Sequence, residues 1–161
     1  MECRQNGMSI DFSIIRNPVG NSGVDELLTN YYLPNYESLD TLNLNGCSMT
    51  DLGVEKLLQV FQSLEGKNSV YALNLSGSGG TVVSSLENHI SDEALPSLTT
   101  LFSLLPNLHN LYLESKNSIV ILHSDTDLSS NGLYGVINYF ISNKPPNFLY
   151  VSMRSMAVVE D

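Results

Sequence analysis

Cysteine is scarce in this chain: only Cys3 and Cys47 occur among 161 residues, too few for the disulfide framework that staples small secreted folds. Basic residues are scarce too. Seven Lys and Arg stand against 17 Asp and Glu, a net charge of −10. A field of that sign repels phosphate backbones and anionic lipid, so the expected partner is neither nucleic acid nor membrane but another protein with a basic surface. Long apolar runs are missing. Met1 to Met8 holds nothing resembling a signal peptide, and no later segment approaches membrane-spanning length. The expected setting is the reducing cytoplasm, although export through a machine that reads no cleavable N-terminal signal leaves the same trace. Metal-ligand spacing is absent as well, because His89, His109 and His123 share none with one another or with a cysteine. No catalytic residue, metal or cofactor is assigned.

What the chain does contain is a repeated unit. From Leu39 to Leu58, strand-like alternation at Leu42 and Leu44 gives way to helix-like spacing at Val54, Leu57, Leu58 and Phe61. A strand face joined to a helix face buries itself only partly, so such a unit needs neighbours of its own kind. Moved back thirty residues, the segment matches the N-terminal part without a gap: Phe12 falls on Leu42, Ile14 on Leu44, Asn17 on Cys47, Val19 on Met49, Gly23 on Gly53, and Leu27 on Leu57. Further strands are expected at Val70–Leu75, from Leu108 through Leu113, and from Phe148 through Met153, which places the repeat starts near 9, 39, 70, 108 and 148. A helix reads from Asp92 to Leu105 with Ser91 or Asp92 as cap and Pro96 in its first turn. Another is expected around Asn131 to Ile137. Extra residues accumulate after the third and fourth strands and before their helices, so both insertions decorate one corner of the unit.

Leu39, Leu42, Leu44, Cys47, Met49, Gly53 and Leu57 follow L-x-x-L-x-L-x-x-(Asn or Cys)-x-L-x-x-x-G-x-x-x-L. In this the chain resembles the leucine-rich repeat family, of the ribonuclease-inhibitor subtype. Ser78 and Lys116 depart from the Asn or Cys position in the third and fourth copies. The resemblance implies an α/β fold: one domain over residues 1–161, a short horseshoe solenoid of about five parallel strands on the concave face with helices on the convex face. It also implies a non-enzymatic protein-binding module that masks or inhibits its partner. Short acidic repeat proteins of this style also resemble effectors that intracellular bacteria deliver into host cells.

In such strands the leucines point inward and the intervening residues outward. Partner-binding residues are therefore expected at Asn43, Asn45, Asn74, Asn110, Tyr112, Glu114, Tyr150, Ser152 and Arg154, with the anchor at the C-terminal end because Tyr and Arg are frequent hot-spot residues. Asp11, Ser13, Ile15, Thr41, Ala72 and Ser76 belong to the same outward set. The last strand, near Phe148, is an edge expected to pair with a partner or a second copy. Competing readings make the chain an enzyme using Cys47 or a loop histidine, or the substrate-recognition segment of a larger receptor or ligase. The repeat position of Asn17 and Cys47 favours side chains turned inward to satisfy backbone groups. His123 to Ser129 lacks the glycine and terminal glutamate of a calcium loop, and Ser76 to Gly80 lacks the Gly-Lys-Ser/Thr ending of a phosphate loop. Asp25, Glu26, Asp51, Glu55, Asp92 and Glu93 are read as carboxylates complementing helix starts.

Overall fold

The computed structural model describes residues 10–15, 17–65, 67–77, 88–113, 128–143 and 150–152; Ile10–Phe12, Ser130 and Tyr150–Ser152 enter through their backbone alone. In chain order the elements are β1 (Ile10–Ser13), α1 (Gly20–Leu27), a π-helical turn (Leu28–Tyr32), a 3-10 turn (Leu33–Asn35), β2 (Leu39–Asn43), α2 (Asp51–Ser63) and β3 (Ala72–Asn74). A 3-10 turn (Asp92–Ala94), α3 (Leu95–Ser103), β4 (Asn110–Tyr112), α4 (Ser130–Asn143) and β5 (Tyr150–Ser152) follow. The strands lie in the order β1-β2-β3-β4-β5, each parallel to its neighbour. Right-handed crossovers between strands laid down in one direction put every helix on the same face of the sheet.

Period-two alternation explains which side chains meet those helices. Leu42, Leu73 and Leu111 stand in register and, with Leu44, Leu75 and Leu113, are fully buried against Val24, Leu57, Leu98 and Val136 of the four helices. Each buried leucine contributes about 1.5–3 kcal/mol relative to an exposed one. The helices pack in sequence, α1 on α2, α2 on α3, and α3 on α4.

The expected leucine-rich repeat horseshoe is corrected by this architecture. Among the described residues the chain forms a mixed α/β fold with one open parallel sheet and four α-helices, in which the side chains of three strands, β2, β3 and β4, are described throughout. Strands β3, β4 and β5 are three residues long. The helical returns are not copies of one another. α1 passes into a π-helical turn, α3 is preceded by a 3-10 turn, and no helix follows β5 among the described residues. In sequence, the extra residues after β3 and β4 break the period that Leu39 to Leu58 displays.

Two hydrogen-bond systems tie neighbouring units together. Asn88 is fully buried; its Oδ1 accepts the N–H of Cys47 at 3.1 Å and of Met49 at 3.0 Å, while its Nδ2 donates to the carbonyls of Leu44, Leu75 and Ser76 at 2.8, 3.0 and 3.1 Å. One side chain thereby satisfies the backbone where two strands end. The second system links helix starts. Asn21 accepts from the N–H of Thr50 and donates to its hydroxyl, Asp51 accepts from the N–H and hydroxyl of Ser91, and Asp92 accepts from the N–H and hydroxyl of Ser129. Asp51 and Asp92 therefore bond laterally, beyond any dipole effect. Asp25 and Glu26 lie past the first turn of α1, which begins at Gly20, contrary to expectation; Asp25 instead meets Lys56 at 3.7 Å.

Candidate functional site

The face of the sheet opposite the helices is built from two rows of side-chain positions. Strand register places Thr41, Ala72, Asn110 and Tyr150 in one row, and Ser13, Asn43, Asn74, Tyr112 and Ser152 in the next. Neighbouring positions in a row are about 4.8 Å apart, the spacing between strands. Thr41, Asn43, Ala72, Asn74, Asn110 and Tyr112 are all half-exposed, whereas the leucines between them are buried. No helix or strand covers this side among the described residues, because the described helices pack against the buried leucines of the other face.

Local hydrogen bonds orient two of the asparagines. The Oδ1 of Asn43 accepts the N–H of Asn45 at 3.2 Å, and the Oδ1 of Asn74 accepts the N–H of Ser76 at 3.0 Å. Each is a side chain folded onto its own backbone two residues on. With the oxygen so held, the Nδ2 donors of both amides have no partner among the described residues. Asn43 and Asn74 thus present fixed donors side by side, next to the Tyr112 ring.

Other expected residues take different roles. Asn45 donates from Nδ2 to the Gly77 carbonyl at 2.6 Å, so its amide joins two strand ends. Ser76 is buried beneath that junction and is no part of the exposed set. Asn17 is exposed, in contrast to Cys47, its register mate. Tyr150 and Ser152 keep their register positions in β5. Glu114 and Arg154 lie outside the described residues, as do His123, Cys3, Phe148 and most of the segment from Ile119 to Ser129.

A rim at the N-terminal ends of the strands escapes the sequence reading. Tyr71, 43% exposed, stacks on His109 with ring centroids 4.2 Å apart and planes inclined by 24°. The Nδ1–H of His109 donates to the Asn107 carbonyl at 2.7 Å, which fixes the ring. Asp40 lies beside them, its carbonyl accepting the Tyr71 N–H at 2.7 Å. The signal is positional: Asp40, Tyr71 and His109 each follow the opening leucine or valine of a unit, where two residues precede the next inward leucine.

Cys47 is fully buried, and burial pushes its thiol up to about 12. Its Sγ–H points at the carbonyls of Ile14 and Asn45, 3.4 and 3.7 Å away. No group of three or more His, Cys, Asp or Glu residues suited to a metal ion occurs among the described residues. An open depression of about 300 Å³, lined by Tyr36, Glu37, Lys67, Asn68 and Ser69, lies at the turn before β3. No helix among the described residues is long and apolar enough to cross a membrane. No protein-family model matches the chain, and no curated protein matches it.

Proposed function

We propose that the chain is a non-enzymatic protein-binding module whose open sheet face contacts another protein. The observation that carries this reading is the pair of oriented amides, Asn43 and Asn74, beside Tyr112 on a face that no described helix covers. Fixed donors lose little conformational entropy when they engage an acceptor, and an adjacent tyrosine supplies contact area at low entropic cost. The partner carries a basic surface. With a net charge of −10, the chain steers such a protein toward itself and repels nucleic acid and anionic lipid. Covering the partner's working surface makes the module a masking or inhibitory one. The cytoplasm is the proposed compartment, supported by a free, buried Cys47.

Affinity capture from lysate with the wild-type chain and with a Tyr112→Ala variant, read by mass spectrometry, tests the reading. A protein retained by the wild type and lost by the folded variant supports it. An identical set of captured proteins removes the open face from consideration.

A further inference from the structure

At the N-terminal ends of the strands, residues from three successive units meet. One position before the paired row of Thr41, Ala72 and Asn110 stand Asp40, Tyr71 and His109. Backbone bonds join them in the same order, from the Tyr71 N–H to the Asp40 carbonyl at 2.7 Å and from the His109 N–H to the Tyr71 carbonyl at 2.9 Å. His109 covers one face of the Tyr71 ring from the β4 side. The other face is turned toward β2, the strand of Asp40, and Tyr71 stays 43% exposed. Because His109 is itself tied to the Asn107 carbonyl, the ring it backs is held in place.

Asp40 is left open by its neighbours. The register of β1 against β2 shifts here: Ile10 pairs with Leu39 and Asp11 with Thr41, so no residue of β1 stands opposite Asp40. Its carboxylate makes no hydrogen bond or ion pair with any described residue. Both lysines among the described residues are engaged elsewhere, Lys56 by Asp25 and Lys67 by Glu65. A second carboxylate, that of Glu37, comes to the same edge because the Ser69 hydroxyl donates to the Glu37 carbonyl at 2.9 Å. The rim therefore joins an uncompensated negative charge to a fixed, uncovered aromatic face. A guanidinium satisfies both at once, since it stacks flat on a ring while its edge N–H groups reach a carboxylate, and the compact ammonium of lysine lacks that shape.

We propose that the rim of Asp40, Tyr71 and His109 takes an arginine side chain of the partner protein, its guanidinium lying on the open face of Tyr71 with its N–H groups on the Asp40 carboxylate. This rests on the reading of the chain as a module that binds a basic protein, and it names the side chain by which that protein is held. The net charge of −10 steers such a partner in; the rim then selects arginine over lysine.

The test titrates the full, isotope-labelled chain with a disordered peptide of alternating Gly and Arg, and with a Gly and Lys peptide of the same length, following backbone amide shifts by nuclear magnetic resonance. The arginine peptide is expected to bind roughly threefold or more tighter than the lysine peptide, with the largest shifts at Asp40, Tyr71 and His109. Asp40→Asn and Tyr71→Ala are each expected to weaken the arginine peptide roughly threefold or more, whereas Tyr71→Phe, which keeps the ring face, retains it. Glu26→Gln removes an equal charge from an exposed position of α1 and measures the loss due to net charge alone. The same spectra show that each variant keeps its fold, and Asp40→Asn changes no shape. Equal binding of the two peptides, shifts centred away from the rim, or a loss in Asp40→Asn no larger than in Glu26→Gln overturns the proposal. The capture comparison with Tyr112→Ala reads the open face separately. Capture that depends on Tyr112 while the rim ignores arginine removes the arginine contact alone, and arginine selectivity at the rim with unchanged capture keeps that contact and removes the central face.

Discussion

Both carboxylate oxygens of Asp51 are held by one residue of the next unit, Ser91, whose backbone N–H reaches Oδ1 and whose hydroxyl reaches Oδ2, each at 2.7 Å. The Ser91 hydroxyl oxygen at the same time accepts the N–H of Glu93 and caps the following turn. Capping and unit-to-unit attachment are thus one arrangement, and it recurs between Asp92 and Ser129. Removing the hydroxyl breaks both at once. Ser91→Ala is expected to cost about 2–5 kcal/mol, the sum of a lost cap and a lost hydrogen bond to a charged group. Urea unfolding monitored by circular dichroism measures it, and a cost below half a kilocalorie would show that the lateral bond contributes nothing.

Asn88 carries more. Its amide serves two backbone N–H groups and three carbonyls in a fully buried position. Asn88→Ala strands those groups without water, so a loss of about 3–5 kcal/mol is expected, the range for breaking a buried hydrogen-bond network. Asn88→Asp is expected to be no better, because a carboxylate oxygen then faces the carbonyls of Leu44, Leu75 and Ser76. Retention of wild-type stability by Asn88→Asp would contradict this account.

How much of this the sequence discloses depends on how local each cause is. The inward leucines are legible, since period-two spacing at Leu42 and Leu44 needs no knowledge of neighbours, and so is the Ser91 cap. Asn88 is not legible. An insertion separates it from β3, so it falls out of register with Cys47 although it bonds that residue's N–H. The Asp51 to Ser91 bond is hidden for a similar reason, since its two halves belong to different units. Asn43 and Asn74 are correctly expected off the core, but alternation alone does not reveal that their oxygens are taken by their own backbone. The horseshoe expectation fails because a sequence period measured over its most regular segment says nothing of how far three-residue strands and interrupted helices keep that regularity.

Close approach between units favours glycine at Gly132, the third residue of α4. A Cβ added to Gly132 would lie 2.0 Å from Asp92 Oδ1, the oxygen already bonded to the Ser129 N–H. Gly132→Ala is therefore expected to destabilise by about 1–3 kcal/mol, although alanine is the better helix former. Aligned on the cap, Ala94 occupies the same position in the preceding unit, and Ala94→Gly is expected to cost only about 1 kcal/mol through backbone entropy. Denaturation midpoints of the pair decide the matter. A stabilised Gly132→Ala would mean that Asp92 yields its place freely.

Alkaline pH tests the burial of Cys47. Its thiol is raised from 9.0 to about 12 by desolvation, so the unfolded chain ionises near pH 9 while the folded one does not. Between those values the unfolded state binds fewer protons than the native state, and stability falls as pH rises; below pH 9 the contribution is fully present. One such group lowers stability by at most about 1.4 kcal/mol per pH unit within that window. Buried Tyr32 adds a similar slope from its own raised pKa, so the thiol is isolated by difference. Cys47→Ala is expected to show a shallower decline of unfolding free energy above pH 9 than the wild type, measured from urea midpoints at successive pH values. At neutral pH, in a Cys3→Ser background that leaves a single thiol, native Cys47 is expected to resist an aromatic disulfide reagent that labels it at once in urea. Equal alkaline slopes, or rapid labelling of the native protein, would place Cys47 in contact with solvent and reopen its candidacy as a nucleophile.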